Sequence, residues 1–206
     1  NGNVWAASGD GTNSTTFDFT STLLKLSPTL GLLSYFTPSN WASINGSGLD
    51  LGSAGPMLLP NGLVFQAGKN EVAYLVSQAT PGGIGGQLAS LPINCLSWGG
   101  DATNAGVVYI PCNNGTLAAT IGNGPTLTFL WKGPSVTSGT PVYGGNTVWT
   151  MDLDGGVLYA LNPSDGSVKQ SITVGHAQHF ASPVVVGDTV IIATSHTVSA
   201  LRHASN

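Results

Sequence analysis

Phe65, Tyr109, Trp149 and Ile191 each mark the middle of a short apolar run, and successive marks stand 44, 40 and 42 residues apart. A second series keeps step with the first. Leu26, Val76, Thr120, Leu161 and Leu201 each fall at the end of an apolar segment, at steps of 50, 44, 41 and 40. The segments Leu26-Ser27-Pro28-Thr29-Leu30-Gly31 and Leu161-Asn162-Pro163-Ser164-Asp165-Gly166 share one plan: a strand ending in Leu, a Pro turn closed by Gly, then a further strand. A period of ~40–50 residues with four strands per unit is expected of β-propeller blades, whereas a β-sandwich has no cause to repeat at that length.

The runs read as strands because they concentrate β-branched and aromatic residues between turn formers. Examples are Val4-Trp5-Ala6-Ala7, Gly62-Leu63-Val64-Phe65-Gln66, Gly106-Val107-Val108-Tyr109-Ile110, Asn146-Thr147-Val148-Trp149-Thr150 and Asp188-Thr189-Val190-Ile191-Ile192. No window of 11–18 residues carries a 3.6-residue apolar period, so almost no helix is expected. The fold class is therefore all-β: a propeller of four-stranded antiparallel blades, about four to five of them in this chain. A single domain over 1–206 divides into units at approximately 1–36, 50–91, 97–131, 135–174 and 178–203. With strands labelled A to D, the units read BCD, ABCD, ABCD, ABCD and ABC. An open ring leaves two apolar sheet faces unburied. The expectation is thus part of a larger ring, completed by another polypeptide segment or chain; a complete five-bladed ring is the alternative.

Composition removes several function classes. Charged residues make up 7% of the chain, against ~25% in ordinary domains, while apolar residues reach 41%. Disorder needs the reverse balance. Five Lys+Arg at a net charge of −4 cannot build a nucleic-acid face. The longest apolar stretches, such as 182–194, fall short of the ~20 residues that span a bilayer. The chain opens at Asn1 without Met or an apolar leader, so any targeting segment is expected to have been removed. Scarce charge and three sequons, at Asn13, Asn45 and Asn114, favour an extracellular, periplasmic or cell-surface home. In such a compartment Cys95, just before a strand A, and Cys112, closing strand B of the same unit, are expected to form a disulfide.

The segment Gly156-Val157-Leu158-Tyr159-Ala160-Leu161-Asn162-Pro163-Ser164-Asp165-Gly166-Ser167-Val168 resembles the repeat of quinoprotein alcohol dehydrogenase-like (pyrroloquinoline quinone-like, PQQ-like) propellers. So do the stretches 50–56 and 62–69 and the turn Gly82-Gly83-Ile84-Gly85-Gly86, and the resemblance covers nearly the whole chain as the C-terminal portion of such propellers. Catalytic members bind PQQ beside calcium, and the resemblance implies positions for each part. Lys69 matches the cation that bonds the quinone carbonyls, Trp41 the aromatic of the cofactor site, and Asp10 a calcium ligand that the family writes as Asn. The catalytic Asp is replaced by Ala42, which cannot take a proton from an alcohol. Many members bind no quinone. The resemblance therefore implies a non-catalytic binding or scaffold module with no cofactor. A PQQ- and calcium-dependent alcohol dehydrogenase is one alternative, and a structural subunit assembling through unclosed blade ends is another.

Other motifs carry less. His176 and His179 stand three apart, on opposite faces of any strand, without a third ligand nearby. Asp152-Leu153-Asp154-Gly155 suits a hairpin turn better than a calcium loop, because the later ligands are lacking. The glycines of 82–86 do not have the spacing of a dinucleotide cradle and fit a close backbone passage between blades. No G-x-S-x-G elbow occurs. Among Trp5, Trp41, Trp98, Trp131 and Trp149, only Trp41 and Trp98 lie in connections where a ring is available for stacking on a ligand; the others suit core packing.

Overall fold

The computed structural model describes residues 2–202; Asn1 and His203, at the outer ends of the first and last sequence units, lie outside them. Strands account for 43% and helix for 3%, so the fold is all-β, with several four-stranded antiparallel sheets as in β-propellers. The chain forms two compact units, residues 2–98 with 122–127 and residues 99–121 with 128–202.

The first unit opens with β1 (Val4–Ala7), β2 (Leu23–Leu26) and β3 (Leu32–Thr37), then a short helix α1 (Trp41–Ser47). There follow β4 (Met57–Leu58), β5 (Leu63–Gln66), β6 (Val72–Ser77), β7 (Gly83–Ile84) and β8 (Ala89–Pro92). One sheet has the order β1-β2-β3-β7 and the other β4-β5-β6-β8. No strand A completes the first sheet among the described residues; its fourth member is β7, which pairs with β3 in parallel at Phe36–Gly83 and Thr37–Ile84. Leu23 and Phe36 of the first sheet meet Val64, Tyr74 and Val76 of the second, with Leu51 between them. The Phe36 and Tyr74 rings lie 5.3 Å apart. Burying each such side chain contributes about 1.5–3 kcal/mol, which is what holds one sheet on the next.

The second unit contains β9 (Ala102–Asn104), β10 (Val107–Ile110), β11 (Leu117–Ile121) and, from its second residue on, β12 (Leu127–Lys132) in one sheet. The next sheet is β13 (Val142–Gly144), β14 (Thr147–Asp152), β15 (Val157–Leu161) and β16 (Val168–Thr173). The last has three described strands, β17 (Val184–Val186), β18 (Thr189–Ala193) and β19 (Val198–Arg202). Both faces of the middle sheet are covered. Val148 and Leu161 pack with Tyr109 and Trp131 on one side, while Trp149, Met151 and Leu158 pack with Val190 and Ile192 on the other. β14 is accordingly buried continuously from Thr147 to Met151, with no alternation between an inner and a solvent face.

The cross-strand register explains the sequence period. Val64 pairs with Val76, Val148 with Leu161 and Val190 with Leu201, each one residue before the strand-middle mark; in β10–β11 the corresponding Val108 pairs with Ala119, one residue short of the mark at Thr120. Cys95 and Cys112 are both buried and both disulfide-bonded, as the sequence leads one to expect.

Candidate functional site

In the first unit, α1 organises the loop that carries Asp10. The helix is anchored by buried Ile44 and ends on Gly48, whose left-handed conformation (φ 66°) lets its N–H bond the last helical carbonyls. Asn45, on the helix, then reaches across to the 9–20 loop. Its Oδ1 accepts from the Gly11 N–H at 2.7 Å and the Thr20 hydroxyl at 2.8 Å, and its Nδ2 donates to the Asn13 carbonyl and the Ser14 hydroxyl. The loop is thereby held against the 50–53 segment. There Gly52 passes so close to Gly9 that a Cβ would come within 2.5 Å of the Gly9 nitrogen.

This packing brings Asp10, Asp50 and Lys69 together. Lys69 Nζ donates to Asp50 Oδ2 at 2.6 Å and the Lys69 N–H to the Asp50 carbonyl at 3.1 Å, while Ser53 Oγ donates to Asp50 Oδ1. Asp50 is buried, so its charge needs that partner. Asp10 lies at the surface, yet partial desolvation raises its pKa; the neighbouring Asp50 charge adds to the rise and Lys69 opposes it. Two carboxylates and one ammonium leave a local charge of −1, and among the described residues no group of three metal ligands forms.

Trp41 begins the same helix and turns toward an aromatic group instead. Its ring meets Phe17 edge-on at 5.3 Å, and Phe17 also touches Phe19 and Tyr35. Ala42 follows, without any proton acceptor. At the positions that the resemblance implies for PQQ, Lys69 is closed on Asp50 and Ala42 presents a methyl group where a base is expected, a pair that does not suit a dehydrogenase cofactor.

Sequence reasoning gave Asp50 and Asn45 no role in the site. An acid between Leu49 and Leu51, in a chain with nine acids, is itself a cue that a cation must sit nearby. In the sequence Asn45 stands out only as a sequon. His176 and His179 both lie exposed in the connection between β16 and β17. Asp152 Oδ1 accepts from the Asp154 and Gly155 N–H groups, which closes the β14–β15 turn. Trp131 is buried, with its Nε1 donating to the Pro163 carbonyl at 2.8 Å.

No family model matches the chain, and no curated protein matches it in sequence. Solved structures do. The β-propeller domain of Cps50 (Swd1) from Myceliophteria thermophila is similar with a TM-score of 0.64 and 10% identity, over 88% of this chain and 58% of that one. The computationally designed proteins Ika8 and Ika4 give TM-scores of 0.60 and 0.59 at 12% and 13% identity. The Ika8 match covers 91% of this chain and 57% of Ika8; the Ika4 match covers 74% and 91%. This chain thus spans little more than half of Ika8 and of the Cps50 chain. At such identities the likeness establishes the fold, β-propeller, and leaves function to the residues.

Proposed function

We propose that this chain is a non-catalytic β-propeller module for binding or scaffolding, of PQQ-like descent and at work outside the cytoplasm, completed by blades from another polypeptide segment or chain. The observation that carries the reading is a pair of uncovered apolar sheet faces. In the first sheet, strand alternation puts Leu23, Lys25 and Phe36 toward the second sheet and Leu24 and Leu33 on the opposite face, where Tyr35 is covered by Phe17 and Phe19. Leu33 there is 54% exposed, with Val4 also open on that face. In the last sheet, Val190 and Ile192 are buried against the middle sheet, whereas Val186 is 61% and Val198 75% exposed on the other side. Faces of this kind are covered by a neighbouring sheet wherever one is present in either unit, so a blade is the occupant that fits. The outer edge of β19 has no strand partner among the described residues, which also suits an added strand.

Support for the absence of quinone chemistry comes from Ala42 and from the Lys69–Asp50 pair. The disulfide suits an oxidising compartment, and among the described residues no helix is long and apolar enough to cross a membrane.

Sedimentation of the purified chain, with 8-anilinonaphthalene-1-sulfonate (ANS) fluorescence alongside, tests the reading. Self-association or saturable dye binding is expected, and Leu33→Glu and Val186→Glu should each diminish it while the melting temperature holds. A monomer that ignores the dye and both substitutions overturns the proposal. Dye reduction by the chain reconstituted with PQQ and calcium would overturn the non-catalytic part alone.

A further inference from the structure

Between the first and second sheets of the first unit lies a cleft of about 490 Å³, lined by Asn3, Trp5, Lys25, Leu58 and Gln78 among others. That volume falls within the ~300–1,000 Å³ of small-ligand clefts. Its chemistry is uneven in an informative way. Lys25 Nζ donates to the Gln78 carbonyl at 2.6 Å and the Ala79 carbonyl at 3.3 Å, and stands 5.9 Å from the centre of the Trp5 ring. Among the described residues no carboxylate lies within 4 Å of it; Lys69 forms the ion pair of this unit. An ammonium has three protons to give, and two are placed. Gln78 is occupied too, its Nε2 donating to the Leu59 and Leu63 carbonyls, so the rear wall of the cleft is fixed. Leu58, half-exposed at 51%, offers an apolar surface on the other side.

We propose that this cleft binds a carboxylate attached to a compact apolar body. The Lys25 ammonium receives the carboxylate as its missing counter-ion, and Trp5 and Leu58 take the apolar part. A positive charge held by neutral carbonyls, with no carboxylate beside it among the described residues, selects an anion over a neutral ligand. The same chemistry is presented by a free aryl- or alkyl-carboxylic acid and by the C-terminal residue of a peptide. The site is distinct from the Asp10–Asp50–Lys69 group and does not depend on what covers the open sheet faces.

The test is an amide-detected NMR titration of the whole chain with 3-phenylpropionate and with its neutral amide, 3-phenylpropionamide. Saturable shifts centred on Lys25, Gln78 and Ala79 are expected for the acid, with the amide weaker by about tenfold or more. Lys25→Met, which keeps most of the stem, should weaken the acid by a similar factor and leave the amide unchanged. Leu58→Asp, an exposed change that spares the core, should reject the acid by repulsion, so the idea stays testable even if Lys25→Met misfolds. Short peptides ending in Phe, as free acid and as C-terminal amide, separate the two sources: tighter binding of the peptide acid than of 3-phenylpropionate points to a chain end, the reverse to a free acid. Equal binding of acid and amide, or no saturation at millimolar concentrations, overturns the proposal.

Discussion

Asp101 has both carboxylate oxygens out of reach of water and no hydrogen-bond partner among the described residues. Burial pushes its pKa from 3.8 up to about 8. The folded chain therefore keeps a proton on Asp101 that the unfolded chain releases, and stability falls as pH rises from about 4 to about 8. Asp101→Asn, neutral at every pH, should flatten that slope in urea melts taken across the window; an unchanged slope would show that Asp101 ionises without cost. Gly166 is a second case. It has φ 73°, and a Cβ there would run into the Trp131 ring. Gly166→Ala should cost roughly 2–4 kcal/mol, from overpacking plus left-handed strain. Gly62→Ala, at φ 77° with open space around it, should cost only about 1–2 kcal/mol. Comparable losses in the two melts would mean the Trp131 contact is immaterial. The Pro-turn glycine was visible in the repeat, but the reason for it was not, because Trp131 is some 35 residues away in sequence and belongs to the adjoining sheet.

Elements were legible in proportion to how locally they are encoded. The hairpins of β5–β6, β10–β11, β14–β15 and β18–β19 follow from apolar runs and turn residues that lie side by side in the chain. The helix α1 went unread because seven residues span less than two turns, too few for a 3.6-residue period to declare itself; Asn40 before it and Gly48 after it were the available cues. The β7 strand is two residues long and exists only through its parallel pairing with β3. Asn45→Ala removes four hydrogen bonds to the 9–20 loop and should cost about 1–3 kcal/mol, with faster hydrogen exchange at the Gly11 amide. Protected exchange in that variant would mean the loop holds without α1. Reducing the Cys95–Cys112 bond reopens a loop that contributes ~3 kcal/mol, so the melting temperature should drop by roughly 6–12 °C. An unchanged melt after complete reduction would place the stabilisation elsewhere.

At the scale of the whole molecule, the first and last sheets each carry exposed apolar side chains on one face. Exposed apolar sheet faces seek cover, so the association of the chain should rise with ionic strength rather than fall, as expected for hydrophobic and not charge-driven contact. Sedimentation at low salt and in molar ammonium sulfate checks this; weaker association in salt would assign the contact to charges. Whole-chain architecture was readable because a propeller repeats itself: the register of Val148 with Leu161 recurs in Val64 with Val76 and Val190 with Leu201, and repetition turns a weak local pattern into a strong global one. The candidate site was readable only in part. Lys69 and Asp10 stood out as residue types, but their meeting with Asp50 depends on α1, on Asn45 and on the close pass of Gly52 at Gly9. What the sequence by itself determined is the periodic order of strands and turns, since neighbouring residues alone set apolar alternation and turn geometry. Which charges pair, which faces stay bare and where a cleft opens beside Lys25 were decided only by tertiary structure, because each depends on groups that distant segments bring within a few ångströms.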